Sequence, residues 1–151
     1  YDFIIAGAPS IPLDFYREIT KNAFIPISSG STYEVLLGAK AALIASGTAT
    51  LEASILNVPQ VVCYKTSKLS YFIGKLLVKV KYISLVNLIA DEFVVKELIQ
   101  SDFNVEKLQN ELKKILLKKN KLELLDNYKY LCKKLGDPGV SRRVAKAIFN
   151  V

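Results

Sequence analysis

The chain has 151 residues, 51% hydrophobic and 23% charged, the length and composition of one globular domain with a core of its own. Lys and Arg outnumber Asp and Glu by 21 to 14, and the resulting charge of +7 suits an anionic partner without choosing among nucleic acid, nucleotide and membrane surface. The absence of histidine excludes Ser-His-Asp and Cys-His catalysis and most zinc sites within these residues, and no apolar run reaches the ~20 residues of a bilayer span.

In chain order, residues 2–6 read as a buried strand ended by Gly7-Ala8-Pro9-Ser10, and Pro12 opens a helix to about Thr20. A short second strand over 24–27 carries Pro26, the mark of a sheet edge or strand end. Ser31, three residues before Glu34, has capping-box spacing and starts a helix to about Ala39. Residues 41–45 form an unbroken apolar run, the pattern of a parallel strand covered on both faces. A helix over 48–56 stops before Pro59, and residues 60–64 make a fourth strand. Residues 67–80 place Leu69, Phe72, Ile73, Leu76 and Val80 on one helical face and Lys68, Lys75 and Lys79 on another. That helix reads either as core-packed with a solvated lysine face or as a membrane-surface element.

Residues 82–85 predict a fifth strand, followed by a loop in which Asn87 is a candidate site residue, because open α/β sheets bind ligands at the carboxyl ends of their strands. Helices are predicted over 92–100, 105–119 with Asn104 as cap, and 122–135; Gly136-Asp137-Pro138-Gly139 breaks the series, and Ser141 caps a last helix. Strands alternating with helices, then a helical tail, predict an α/β fold with a doubly wound, mostly parallel sheet. The lysines of the tail lack the interleaved aromatics of a single-strand binder, so a nucleic-acid partner is not expected. Cys63 and Cys132 read as reduced, cytosolic thiols. No signal peptide is apparent, and a chain that begins at Tyr1 without any Met reads as a piece of a longer protein.

The segment Ser46-Gly47-Thr48-Ala49-Thr50-Leu51-Glu52 carries the functional argument. A buried strand there runs into a small-residue turn and then a helix, whose first N–H groups would be unpaired and would favour a phosphate or diphosphate. Glu52, four residues past Thr48, shares a helix face with it and would accept hydrogen bonds from two vicinal hydroxyls, as on a ribose. The alternative is a plain helix cap with Glu52 as a first-turn acid that complements the dipole.

Taken together, residues 41–52, the segment Pro59-Gln60-Val61-Val62-Cys63-Tyr64-Lys65, the segment 82–90 and the tail 139–145 resemble the lipid-A-disaccharide synthase family. The resemblance implies the Rossmann-like C-terminal half of a GT-B glycosyltransferase that joins UDP-2,3-diacylglucosamine to 2,3-diacylglucosamine 1-phosphate. It implies that the amides around Ser46, Gly47, Thr48 and Ala49 hold the diphosphate, that Glu52 takes the ribose, and that Asn87 positions the donor near the reacting centre. Tyr64 and Lys65 match a Gly-Tyr-Arg segment, with Lys65 a point charge in place of a bidentate fork. Val86 stands where the family has a proline, and Lys40 where it commonly has Asp.

It further implies that the family's opening strand-turn-helix and its acceptor domain lie upstream, and that residues 1–151 alone would bind donor weakly and turn nothing over. No metal or other cofactor is implied. The enzyme would work as a peripheral protein on the cytoplasmic face of a Gram-negative inner membrane, held by Lys68, Lys75, Lys79 and the net charge, with a homodimer left open. Competing readings are another UDP-sugar enzyme of the same fold, such as a 2-epimerase or a peptidoglycan-type transferase, and a non-catalytic nucleotide- or membrane-binding module.

Overall fold

The computed structural model describes residues 1–21, 23–67 and 81–149. Its elements run β1 (Ile5–Ala6), α1 (Leu13–Ile19), β2 (Ile27–Ser28), α2 (Thr32–Gly38), β3 (Ala42–Ala45), α3 (Ala49–Ile55) and β4 (Gln60–Tyr64). Then come α4 (Leu85–Ala90), β5 (Lys96–Ile99), a 3-10 turn (Gln100–Asp102), α5 (Val105–Leu116), α6 (Lys118–Leu135) and α7 (Val140–Phe149). The amphipathic helix predicted over 67–80, with Lys68, Lys75 and Lys79, falls almost entirely outside the described residues.

Every strand pairing among the described residues is parallel. β1 lies beside β2 with Ile5 opposite Ile27, and a second sheet has the order β3-β4-β5, in which Ala45 neighbours Cys63 and Cys63 neighbours Leu98. Parallel neighbours need a crossover between them, and α3 supplies the one from β3 to β4. With the helices α5, α6 and α7 following the last strand, this is the expected α/β architecture with a helical tail.

Side chains alternate across a strand, so the register sorts the two faces of the larger sheet. Ile44, Val62 and Glu97 are side by side on one face. There Val62 packs with Val86 and Ala90 of α4, with Val94 and Val95, and with Leu124, Tyr128 and Leu131 of α6, while Ile44 packs with Leu36, Ala53 and Val58. The other face carries Val61 and Leu98, both fully buried, and α5 lies against β4 and β5. Each such apolar side chain stabilises the fold by about 1.5–3 kcal/mol relative to exposure. On β3 that second face presents Leu43 and Ala45 to solvent. The strand is therefore covered on one side and not, as its apolar run suggested, on both.

Two expected elements change identity. Residues 82–85 are not a strand: Ser84 is the N-cap of α4, its hydroxyl accepting from the Asn87 amide at 3.3 Å. Residues 92–100 are not a helix: Lys96–Ile99 pair with β4, which turns Glu97 and Leu98 inward. Helix propensity of Glu, Lys and Leu yields here to pairing with the central strand and to the hydrogen bonds that Glu97 collects. Ser31 does start α2, though without a side-chain capping bond, and Ser141 sits within α7 and is not its cap. Asn104 caps α5 as expected, its Oδ1 accepting from the Lys107 amide at 3.0 Å. No helix among the described residues is long and apolar enough to cross a membrane.

Candidate functional site

The turn between β3 and α3 stands at the carboxyl edge of the parallel sheet. Gly47 has φ 133°, a conformation open in practice only to glycine, and the space where a Cβ would project is empty to 4 Å. This bend turns the chain from the end of β3 into α3. Thr48 at the N-cap gives no side-chain capping bond; the Thr50 hydroxyl donates to the Gly47 carbonyl at 2.8 Å. Helical bonding begins with the Thr50 amide, so among the described residues the amides of Gly47, Thr48 and Ala49 donate to no protein acceptor. Three main-chain donors thus remain available at the positive end of a helix dipole. Glu52, half-buried one turn along α3, makes no hydrogen bond or ion pair with its carboxyl group among the described residues.

A second segment meets this turn. The Ser46 hydroxyl donates to the Ile83 carbonyl at 3.0 Å, tying the end of β3 to the residues that lead into α4. Beneath that contact lies a buried polar cluster. Glu97 accepts from the Ile83 amide (3.0 Å to Oε2), the Ser84 amide (2.8 Å), the Ser84 hydroxyl (2.7 Å) and Asn87 Nδ2 (2.9 Å). Asn87 also donates through Nδ2 to the Val95 carbonyl, and its Oδ1 accepts from the amides of Val94 and Val95, each at 2.9 Å.

These bonds revise the expectation for Asn87. It lies in the first turn of α4, not in a loop after a strand, and is fully buried. Both donors and both acceptor positions of its amide are used within the protein. Its side chain joins α4 to the approach of β5 and leaves no polar valence for a ligand in this arrangement. Val86 occupies the second position of the same helix, where a proline's missing N–H would cost nothing, so the exchange leaves the helix start intact. Glu97 is the residue that sequence reasoning missed. Its signal was an acid inside the apolar stretch Val94-Val95-Lys96-Glu97-Leu98-Ile99, unusual for a strand unless paired.

Tyr64, half-buried, and Lys65, exposed, follow at the carboxyl end of β4, on the same sheet edge as Ser46. Just beyond, the Thr66 amide donates to Gln100 Oε1 at 3.0 Å, and Gln100 adopts a left-handed φ of 51° to leave β5. Lys40, for which the sequence offered no role, sits over the Tyr1 ring, its Nζ 5.7 Å from the centroid. Both cysteines are free thiols; burial pushes the Cys63 thiol up to about 11. Ser46 and Tyr64-Lys65 thus stand at the carboxyl ends of the adjacent strands β3 and β4, Glu52 lies in the first half of α3, and Asn87 is buried in α4.

A parallel α/β sheet with an open glycine turn and clustered polar residues at its carboxyl edge defines a Rossmann-like domain. A family model described as lipid-A-disaccharide synthetase matches residues 13–149. The lipid-A-disaccharide synthase of Syntrophus aciditrophicus is 42% identical over 117 residues, covering 77% of this chain and 30% of that protein. The synthase of Anaeromyxobacter dehalogenans is 34% identical over 153 aligned positions (99% of this chain, 40% of that protein), and that of Psychromonas ingrahamii 40% identical over 144 (95% and 34%). The chain belongs to the lipid-A-disaccharide synthase family, and it spans 30% to 40% of the length of these relatives.

Proposed function

We propose that these residues form the donor-binding part of a GT-B glycosyltransferase of lipid A biosynthesis, which transfers 2,3-diacylglucosamine from UDP to 2,3-diacylglucosamine 1-phosphate. The observation that carries the reading is the set of three unengaged amides at Gly47, Thr48 and Ala49, on the sheet edge of a member of this family. The diphosphate meets those donors together with the Ser46 turn, the ribose hydroxyls meet Glu52, and Tyr64 and Lys65 flank the donor from β4. Asn87 positions the donor by fixing the segment beside the turn.

Chemistry follows from that placement. The acceptor hydroxyl attacks the anomeric carbon, the bond to the diphosphate oxygen breaks, and the configuration inverts. Negative charge grows on the departing UDP, where amides fixed in advance, the start of α3 and Lys65 stabilise it most in the transition state. Charge neutralisation is assigned to these groups and not to a metal ion. Turnover is a property of the complete enzyme, and residues 1–151 contribute donor affinity. Since both sugars carry acyl chains, the enzyme works peripherally at the cytoplasmic face of a Gram-negative inner membrane, and the positive charges of Lys68, Lys75 and Lys79 add attraction to anionic lipid.

Calorimetric titration of the chain with UDP tests the site. UDP binds the wild type, and Glu52→Ala weakens it about tenfold, the size of losing one charged hydrogen-bonding group. Unchanged affinity in Glu52→Ala refutes the ribose assignment. In the complete enzyme, acylated UDP-glucosamine outcompetes UDP-N-acetylglucosamine; equal competition favours a 2-epimerase or peptidoglycan-type transferase.

A further inference from the structure

The geometry points to Glu97 as the positioning residue for the phosphate-binding turn, and this inference rests on the donor site proposed above. Glu97 is buried in β5, and its side chain reaches across to the segment that precedes α4. It holds Ile83 by the amide and Ser84 by both amide and hydroxyl. Ile83 then offers its carbonyl to the Ser46 hydroxyl at 3.0 Å. One peptide segment therefore hangs between a buried carboxyl group on one side and the first residue of the turn on the other. Gly47, Thr48 and Ala49 follow Ser46 directly, so the spot toward which their amides point is set by where Ile83 is held.

Among the described residues the Ser46 side chain makes no other hydrogen bond, and Gly47 beside it has no Cβ to wedge the turn in place. A glycine hinge left to itself would sample other conformations. The chain Glu97–Ile83–Ser46 removes that freedom before ligand arrives, which is how a supporting shell raises affinity without touching the ligand. The acid at position 97 is suited to the task because both oxygens only accept: Oε1 takes the Ser84 and Asn87 donors, and the Ile83 amide is shared between Oε2 at 3.0 Å and Oε1 at 3.2 Å. A glutamine could keep the first set only by turning an N–H donor against the Ile83 amide.

The test uses the 151-residue chain with UDP as probe. Glu97→Gln displaces the NMR amide signals of Gly47, Thr48 and Ala49 and weakens UDP binding about tenfold. Ser46→Ala reproduces both effects, Ser46→Thr restores them, and Glu97→Gln combined with Ser46→Ala is no weaker than the worse single variant, because both act through Ile83. Tyr128→Phe, a substitution elsewhere in the same core, lowers stability and leaves UDP affinity alone. The inference is overturned if the three amide signals stay in place in Ser46→Ala or Glu97→Gln, if the two losses multiply, or if Tyr128→Phe weakens UDP equally. Should the wild-type chain bind no UDP, the donor-site reading fails by itself, and the amide signals still decide whether Glu97 sets the turn.

Discussion

Tyr128 and Gln60, 68 positions apart, are joined by a hydrogen bond at the centre of the protein: Gln60 Nε2 donates to the Tyr128 hydroxyl at 3.3 Å, and that hydroxyl donates to the Val58 carbonyl at 3.3 Å. Gln60 Nε2 also donates to the Thr50 carbonyl at 2.8 Å. Long helix α6 is thereby fastened to β4 and to the first turn of α3. Tyr128→Phe keeps the ring in its pocket and deprives Val58 of its donor. The expected loss is about 1–3 kcal/mol in urea unfolding, the cost of one buried unsatisfied acceptor. A midpoint equal to wild type would show that this carbonyl has another partner.

Alkaline pH should lower the stability of the protein over two successive pH ranges. Burial raises the Cys63 thiol from 9.0 to about 11 and pushes the Tyr128 hydroxyl well above its ordinary 10.0, a shift that the Gln60 hydrogen bonds partly oppose. Both are acids whose native pKa exceeds the unfolded one, so their contribution is complete below pH 9. Above pH 9 the unfolded chain gives up the Cys63 proton first, and above 10 that of tyrosine, while the native state keeps both. Stability falls as pH rises through this window, by about 1.4 kcal/mol per pH unit for each proton withheld. Tyr128→Phe should flatten only the part above pH 10, and Cys63→Ser only the part from 9 to 11.

Gly47→Ala isolates backbone strain. The added methyl meets no atom within 4 Å, so the whole effect comes from forcing a side chain into φ 133°. The expected cost is about 1–3 kcal/mol, with a greater fractional loss of UDP affinity than of stability if the turn relaxes to escape the strain. Equal thermal stability and equal affinity would contradict the assigned backbone conformation.

Asn87→Asp separates a structural from a contacting role. The substitution replaces the Nδ2 donor by an acceptor facing the Val95 carbonyl and Glu97 Oε1, both 2.9 Å away in the wild type. Two carboxyl groups then share a buried site, and stability should fall by about 3–5 kcal/mol at neutral pH, with partial recovery on acidification as one of them takes a proton. Wild-type unfolding behaviour with lost sugar transfer would instead make Asn87 a ligand contact.

Much of the fold could be read from local pattern. β4 occupies the predicted residues 60–64, and α1, α2 and α3 agree to within a residue or two, because apolar runs, prolines and the Asn57–Pro59 stop mark them locally. The region from 82 to 100 could not be read that way. Tyr82-Ile83-Ser84-Leu85 has strand composition, yet Ser84 accepting from Asn87 starts a helix; Lys96-Glu97-Leu98-Ile99 has helix composition, yet its pairing with β4 and the needs of Ile83, Ser84 and Asn87 make it a strand. The bonds of Glu97 to Ile83, Ser84 and Asn87 join residues 10 to 14 positions apart and leave no periodic trace. The glycine turn was legible because small residues between strand and helix carry their own geometry. Its support by Glu97 was not, since nothing local announces which donors a buried acid will serve.

β3 has a further effect, on handling. Its outer border carries main-chain groups that no neighbouring strand among the described residues satisfies, and Leu43 is open to water on one side. Such a border invites another molecule to add its own strand, so concentrated samples should self-associate. Raising ionic strength, which screens the mutual repulsion of chains bearing +7, should hasten the process.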